Sequence, residues 1–295
     1  KPGKLKISPN GFPIGKELFS ETKVKPETQE ELDRFLSALA ANMRQFEGHA
    51  GWYVMDERPF GMIPSIFHQC SLLRRADPDH PTYGVSNKAS EFYLWRDVFD
   101  IFGMDPYPLM NMRLGRPLSL AAHETRVSME AVQNSRPVWT VLQFFQGFSR
   151  DRWPTEEELR TMSLMAITEG ARGLFYWSFG MRALATVRDE KTREEYWQRA
   201  VRVTREIKSF EPALLAPDMP SLVRSVSDGR IRWRARATGK KWYVFAYMPA
   251  KKFGEGKETT PIDVTFTLKD GQTVRKAFRP DIADWFSVER SHRID

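Results

Sequence analysis

Asp56 and Glu57 are adjacent carboxylates that end an apolar, strand-like stretch of the sequence. Pro59 comes two residues later and helps to end the strand, because proline has no N–H to donate to a sheet. The carboxyl ends of buried parallel strands are where (β/α)-barrel enzymes hold their acids and bases. The segment therefore indicates a hydrolase with an α/β fold, and the paired carboxyl groups favour a sugar as its substrate.

Glu57 and Asp56 can be given distinct roles. Hydrolysis of a glycosidic bond usually needs one protonated carboxyl group and one ionised carboxylate. We assign the proton donor to Glu57, because an ionised Asp56 beside it would raise the pKa of Glu57 and keep it protonated near neutral pH. Neighbouring side chains on a strand point to opposite sides of the sheet, however. Asp56 could therefore point away and make a structural hydrogen bond, and both roles stay open.

Asp105 is the other candidate for the second carboxylate, and it follows the predicted strand Ile101–Met104. A carboxylate on a different strand of a barrel could leave room for a water molecule between itself and Glu57, as inverting enzymes require. The alternative is that Asp105 caps the turn before Pro106, which aspartate often does. A substrate-assisted route, in which Asp56 and Glu57 orient an acetamido sugar, ranks below the inverting one.

Four further residues follow the predicted strands and could contact a sugar, namely Asn87, Tyr107, Gln143 and Trp177. Asn87 and Gln143 would hydrogen-bond sugar hydroxyls, whereas Tyr107 and Trp177 would stack on sugar rings or offer a hydroxyl group. Trp139 could do the same, although packing in the core is the more common role for this residue.

Five apolar strands alternate with helices between residues 52 and 209, which is typical of parallel β/α units. The strands are predicted around Tyr53, Gly84, Gly103, Thr140 and Phe175. Each ends in polar or aromatic residues, as barrel strands do at the active face. Capping boxes at Thr28 and Thr155 predict the starts of two helices. We therefore predict a TIM-type (β/α) barrel over residues 1–211.

The sequence after Pro212 has a different pattern. Prolines at 212, 217 and 220 predict a linker, and five runs of alternating residues follow between 221 and 278. Turn pairs such as Asp228-Gly229 separate several of them, as in β-hairpins. These runs predict a small antiparallel β-sandwich domain over residues 221–295. The arginines of Arg230–Arg236 alternate with other residues, which indicates one solvated face of a strand.

The composition disfavours several classes of protein. The 295 residues are 41% hydrophobic, enough for a substantial core, and the net charge of +7 is spread along the chain. We therefore expect no nucleic acid as a partner. No apolar run reaches the length of a membrane span, so no membrane is expected either. Cys70, the single cysteine, is expected to be an apolar filler, and His80 a surface or capping residue. No metal site and no cofactor are predicted.

The chain resembles the (β/α)8-barrel glycoside hydrolases of the broad clan that carries its acid/base on strand four and its nucleophile on strand seven. The segments that carry the resemblance are Trp52-Tyr53-Val54-Met55-Asp56-Glu57-Arg58-Pro59, Asp105-Pro106-Tyr107-Pro108, Arg136-Pro137-Val138-Trp139-Thr140-Val141-Leu142-Gln143 and Gly170-Ala171-Arg172-Gly173-Leu174-Phe175-Tyr176-Trp177. The first resembles the Asn/Asp-Glu-Pro tip of strand four, which makes the five strands numbers four to eight. Leu5–Gly15 resembles the first hairpin and strand, and the resemblance covers about residues 1–210.

The sequence departs from the pattern of this clan at two places. About 35 residues separate Gly15 from Trp52, too few for strands two and three, since each β/α unit takes about 30 residues. The barrel is therefore expected to be shortened, or to be completed by a second copy of the chain or by a partner chain. Gln143 occupies the position of the strand-seven nucleophile, and an amide cannot form the glycosyl-enzyme ester.

The function that these patterns predict is a glycoside hydrolase that cleaves a poly- or oligosaccharide, with Glu57 as general acid and Asp105 or Asp56 as base. The alternative is a carbohydrate-binding pseudoenzyme or structural subunit without turnover, which Gln143 and the missing strands favour. We expect a secreted or periplasmic location, although no signal peptide opens the sequence, and a cytoplasmic location stays open.

Overall fold

A computed structural model of the chain describes residues 28–110, 114–147, 152–178, 184–250 and 260–290. The chain divides into two compact units. Unit 1 consists of Lys1–Gly84 and Val98–Asp100, and unit 2 consists of Val85–Asp97 and Ile101–Asp295. The separation into domains 1–211 and 221–295 stays a prediction. The hairpin and strand expected at Leu5–Gly15 lie outside the described residues.

Five parallel strands form one sheet in the sequential order β1-β2-β3-β4-β5. They are β1 Trp52–Asp56, β2 Thr82–Ser86, β3 Ile101–Met104, β4 Val138–Gln143 and β5 Gly173–Trp177. Each strand contains the residue around which the sequence predicts it. Sequential parallel order is that of the strands in a (β/α) barrel. The predicted fold class, a TIM-type barrel in shortened form, is therefore confirmed.

Two of the helices begin at the threonine caps that the sequence predicts. The helices are α1 Gln29–Met43, α2 Ile63–Ala76, α3 Phe92–Trp95, α4 Leu120–Val132, α5 Glu156–Glu169, α6 Glu190–Ser209 and α7 Glu211–Leu215. Thr28 accepts a hydrogen bond from the N–H of Glu31 at the start of α1. Thr155 and Glu158 form a reciprocal capping box at the start of α5. These bonds satisfy N–H groups that have no partner within the helix.

Unit 1 packs α1 and α2 against β1. Ala40 and Met43 of α1, Trp52 of β1 and Leu73 of α2 form one buried apolar cluster, and Val54 packs against it. Trp52 and Val54 are two residues apart on the strand, so they share one face of it. This face of β1 is therefore covered by helices within unit 1, as a β/α unit requires.

The C-terminal part of unit 2 contains two antiparallel three-stranded sheets, in the orders β10-β9-β6 and β11-β8-β7. The strands are β6 Val223–Val226, β7 Arg232–Ala237, β8 Lys241–Met248, β9 Ile262–Leu268, β10 Thr273–Phe278 and β11 Ile282–Glu289. Val244, Phe266 and Phe286 belong to a core that draws on both sheets. The predicted antiparallel strands are confirmed, and β11 is an additional strand that the sequence pattern does not predict.

Helix α5 is the centre of unit 2. Its side chains are buried at Glu158, at Leu159 and from Thr161 to Glu169. It packs against β4 of the parallel sheet, against α4 and α6, and against β8 and β11 of the C-terminal part. Leu142 of β4 and Phe245 of β8 accordingly belong to the same hydrophobic core. The C-terminal sheets are thus part of the support for the parallel strands of unit 2.

The arginines of β7 differ from the expectation of a solvated face. Arg232 donates from Nε to Glu169 Oε1 of α5 at 2.6 Å. Arg236 is only 1% exposed and donates from Nη1 to the carbonyl oxygen of Leu214 in α7 at 2.8 Å. Arg232 and Arg236 therefore join β7 to two helices, because guanidinium groups can donate several hydrogen bonds at once.

Three smaller expectations have an outcome in the structure. Pro212 lies in the first turn of α7 rather than in an irregular linker, a position that proline tolerates well. Cys70 is buried, and burial raises the pKa of its thiol to about 11, which keeps it protonated and unreactive. Within the described part of the chain, every helix is too short or too polar to cross a membrane.

Candidate active site

Glu57 directly follows β1, and its side chain is exposed, as is that of Asp56 at the end of the strand. The backbone of Glu57 has a φ of 49°, in the left-handed region that residues other than glycine rarely adopt. Such a conformation costs on the order of 1–3 kcal/mol and is concentrated at functional sites. The carboxyl end of β1 therefore combines two accessible carboxyl groups with a strained backbone.

Asp56 has a hydrogen-bond partner that the sequence reasoning did not single out. The hydroxyl of Tyr53 donates to Asp56 Oδ1 at 2.6 Å, and the Tyr53 ring stacks on that of Tyr83 with 5.4 Å between the ring centroids. This is the kind of bond that the structural alternative for Asp56 requires. Its role as a base stays a prediction. The sequence signal for this bond is a tyrosine three positions before the aspartate.

Asp105 directly follows β3 and is 6% exposed. It belongs to unit 2, whereas Asp56 and Glu57 belong to unit 1. Its surroundings thus differ from those of the two carboxyl groups at the end of β1, which are exposed. Both readings of Asp105, as a base and as a cap of the turn before Pro106, stay predictions.

Gln143 is the last residue of β4 and is fully buried. Its Oε1 accepts a hydrogen bond from the N–H of Leu109 at 2.9 Å, and its Nε2 donates to the carbonyl oxygen of Phe145 at 3.3 Å. The side chain at this position thus accepts one hydrogen bond and donates another. An amide can do both, whereas an ionised carboxylate cannot donate. Gln143 therefore ties the segment after β3 to the segment after β4.

Tyr107 and Trp177 lie near Gln143 in unit 2. Trp177 is the partner of Gln143 in the register of β4 and β5, and its carbonyl oxygen accepts the N–H of Phe144 at 2.6 Å. The Tyr107 ring meets that of Phe145 edge to face at 5.0 Å between centroids. Trp177 is 43% exposed, so its ring is available to a ligand. The structure thus brings three of the four predicted sugar-binding residues together.

Trp139 packs against the neighbouring strand. Its ring lies 5.3 Å from that of Phe175, measured between centroids. A Cβ atom on Gly173 would come within 2.6 Å of the Trp139 ring, so the indole occupies the space above that glycine. This is the packing role that tryptophan fulfils most often.

Asn87 and His80 are the remaining residues considered from the sequence. Asn87 is exposed in the segment that follows β2, and its part in sugar binding stays a prediction. His80 lies in unit 1, and its Nδ1 atom is 2.8 Å from Asp77 Oδ1. Together with His49, this pair forms a group of possible metal ligands. No spacing in the sequence indicates this group, because His49 lies far from the other two residues along the chain.

Two cavities in unit 2 lie away from the candidate residues. One of about 300 Å³ is lined by residues that include Glu169 and Arg232. The other, of about 270 Å³, is lined by residues that include Arg172 and Gly173, at the amino end of β5. Active sites of barrels lie at the carboxyl ends of the strands. Neither cavity therefore marks the site that the sequence predicts.

No protein-family model and no curated protein sequence matches the chain, but solved structures match its fold. The ligand-free cyclic α-maltosyl-(1→6)-maltose hydrolase of Arthrobacter globiformis aligns with a TM-score of 0.50 at 15% identity, over 89% of this chain and 60% of its own. A glycoside hydrolase family 5 protein of Bacteroides vulgatus aligns with a TM-score of 0.51 at 12% identity, over 88% of this chain and 62% of its own.

These likenesses concern the fold, because identities of 15% and 12% do not carry chemistry from one protein to another. The chain spans 60% and 62% of the length of the two structures. The clan-level resemblance seen in the sequence is confirmed at the level of architecture. The chain has the fold of the TIM-barrel glycoside hydrolases, in shortened form.

Proposed function

We propose that this chain is a glycoside hydrolase that cleaves a poly- or oligosaccharide, with Glu57 as its general acid. The observation that carries the proposal is the state of Glu57 itself. It follows a barrel strand, it is exposed, and its backbone has a φ of 49°. Strained backbone conformations cluster at functional sites, and this one lies at an exposed carboxyl group.

In the proposed reaction, Glu57 donates its proton to the oxygen of the leaving sugar, while a second carboxylate activates a water molecule. Asp105 and Asp56 are the two candidates for that base. Asp56 is exposed but bonded to Tyr53, whereas Asp105 is buried. Gln143 supports an inverting route, since the position of the strand-seven nucleophile holds an amide. Trp177 would offer its exposed ring to a sugar.

Replacement of Glu57 by glutamine is the direct test. The Glu57→Gln variant keeps the size of the side chain and cannot donate the proton, so we expect kcat to fall about 10²- to 10⁴-fold on a glycan that the unaltered chain cleaves. Its affinity for that glycan should survive. The substrate is first found with a panel of poly- and oligosaccharides, and NMR of the product anomer distinguishes inversion from retention.

Glu47→Gln is the matched control, because Glu47 is also an exposed glutamate of unit 1 but follows no strand. It should leave turnover unchanged. Equal turnover of Glu57→Gln and the unaltered chain would contradict the assignment of the acid. Asp105→Asn and Asp56→Asn, compared in the same assay after circular dichroism has confirmed their folding, identify the base as the residue whose loss removes turnover.

The second candidate function is a carbohydrate-binding protein without turnover. The burial of Gln143 and its hydrogen bonds to two backbone groups favour it, because a residue in this position then stabilises the fold and takes no part in catalysis. This alternative predicts glycan binding by the unaltered chain, no product from any glycan of the panel, and no effect of Glu57→Gln on binding.

The two edges of the described parallel sheet bear on the partners of this chain. β1 and β5 are the edges of the parallel sheet among the described residues, and exposed edges invite pairing with further strands. We infer that a second copy or a partner chain covers them, and light scattering on the purified chain would detect a homo-oligomer. A secreted or periplasmic location would suit a polymeric glycan as substrate.

A further inference from the structure

His49, Asp77 and His80 lie together in unit 1. Nδ1 of His80 is 2.8 Å from Asp77 Oδ1, and Nε2 of His49 is 3.4 Å from Asp77 Oδ2. One ligand atom from each residue lies within 4.8 Å of the other two. Ligands at about 2.0–2.1 Å from a tetrahedral zinc ion lie about 3.3 Å from one another. A small movement of the side chains would therefore bring all three within bonding distance of one ion.

His49 provides an independent reason to look for a ligand. Its side chain is 8% exposed, and its Nε2 atom makes no hydrogen bond to any described residue. The contact with Asp77 Oδ2 at 3.4 Å is an ion-pair distance. A buried polar atom without a hydrogen bond costs about 1–3 kcal/mol. A metal ion between the three residues would satisfy this nitrogen.

The surrounding residues hold Asp77 and the adjoining chain in place. Trp52 Nε1 donates to Asp77 Oδ2 at 3.0 Å, the type of outer hydrogen bond that orients carboxylate ligands of metals. The N–H of Trp52 also donates to the carbonyl oxygen of Pro81 at 2.8 Å. A Cβ atom on Gly51 would lie 2.8 Å from that same oxygen, so the close approach requires glycine. The ligands are thus set on segments that are already fixed to each other.

We propose that His49, Asp77 and His80 bind one divalent transition-metal ion, and that Zn²⁺ suits the site best. Zinc takes imidazole and carboxylate ligands together and is usually four-coordinate. Water would complete the set on the side of His80, whose side chain is 20% exposed. Mg²⁺ and Ca²⁺ prefer oxygen ligands throughout. The ion would clamp the turn that contains Asp77 and His80 to the residues before β1.

Calorimetric titration of the full chain with ZnCl₂, after removal of metals with a chelator, tests the site. We expect one Zn²⁺ per chain, no competition from Mg²⁺, and a rise in melting temperature on addition of zinc. His49→Ala and His80→Ala should each weaken binding at least tenfold. Trp52→Phe keeps an aromatic ring but removes the bond to Asp77, and it should weaken binding about 10- to 100-fold.

His68→Ala is the matched control. His68 also belongs to unit 1, and its Nε2 lies 2.9 Å from Asp33 Oδ2, but this pair is not part of a group of three possible ligands among the described residues. This variant should bind zinc as the unaltered chain does. The absence of stoichiometric zinc binding by the folded chain would overturn the proposal, as would unchanged affinity in both His49→Ala and His80→Ala. If the first of these fails to fold, the more exposed His80 decides the outcome through His80→Asn.

Discussion

The carboxyl ends of β1 and β4 hold chemically similar side chains in opposite circumstances. After β1, Glu57 is exposed on a strained backbone. At the end of β4, Gln143 is fully buried, and its oxygen and nitrogen are bonded to the backbone of Leu109 and Phe145. One strand end thus presents an acidic group to solvent, while the other uses its amide within the fold.

This difference shows that a residue at a strand end is not necessarily accessible to a substrate. Barrel architecture brings residues at strand ends to one face, but it does not decide whether they reach a substrate or support a loop. Glu57 contributes little burial, so its replacement should affect chemistry and not stability. Gln143 contributes two buried hydrogen bonds, so its replacement should affect stability first. Substitutions at both strand ends test that contrast.

Gln143→Leu should give the largest loss of stability. Leucine fills a similar volume but leaves the N–H of Leu109 and the carbonyl of Phe145 without this partner. Each buried group left unsatisfied costs about 1–3 kcal/mol, so we expect the free energy of unfolding to fall by about 2–5 kcal/mol, measured by urea denaturation. Glu57→Gln, measured in parallel, should stay within about 0.5 kcal/mol of the unaltered chain.

Gln143→Glu is the control that keeps the shape of the side chain and replaces its amide with a carboxyl group. Its carboxylate can still accept the N–H of Leu109, but it would face the carbonyl of Phe145 without a proton to donate. We expect less stability than in the unaltered chain at neutral pH, with part of the loss recovered at lower pH as the carboxyl group is protonated. Equal stability of all three chains at neutral pH would show that the bonds of Gln143 do not hold the fold.

Glu124 shows what burial does to a carboxyl group in unit 2. Burial, opposed by the charge of Arg116, raises the pKa of Glu124 to about 7 from an ordinary 4.5. Between these two pH values the folded chain holds a proton that the unfolded chain has lost. Stability should therefore fall as pH rises from about 4.5 to 7, by about 1–3 kcal/mol, and should then be level with respect to this group.

The Glu124→Gln variant removes this pH dependence. It should match the unaltered chain near pH 4.5 and exceed it in stability at pH 8, as measured by urea denaturation at each pH. If both proteins lose stability equally between pH 5 and 7, Glu124 is not the source of the slope. The size of this loss of stability also indicates how strongly an ionised carboxylate at position 143 would destabilise the fold.

The strands were largely predictable, because their signals are local. Strand β3, Ile101–Met104, has the bounds that the sequence predicts, since its apolar run ends at clear turn residues. The pattern does not predict β11, Ile282–Glu289, because polar residues interrupt its alternation. One of them, Asp284, accepts from Lys276 Nζ at 2.8 Å, and another strand supplies that lysine. Contacts of this kind depend on the assembled sheets and leave no periodic trace.

The sequence predicts which residues lie at the candidate site, but it does not predict where their side chains point. The sequence places Asp56, Glu57 and Gln143 at strand ends, and the structure agrees. That Gln143 turns toward the backbone depends on the path of the chain after β3, which no pattern around β4 encodes. Likewise, the group of His49, Asp77 and His80 arises from the packing of segments that are distant in sequence. Local sequence patterns determine the helices and strands, whereas the packing between them determines which side chains are accessible.

Tyr53→Phe should have the smallest effect on stability and sharpens the comparison at the end of β1. It removes the hydroxyl that donates to Asp56 but keeps the ring that stacks on Tyr83. Because this bond is exposed, water replaces it, and we expect the free energy of unfolding to change by less than about 0.5 kcal/mol in urea denaturation. A loss greater than about 1 kcal/mol would contradict the contrast, since the end of β1 would then hold the fold together as the end of β4 does.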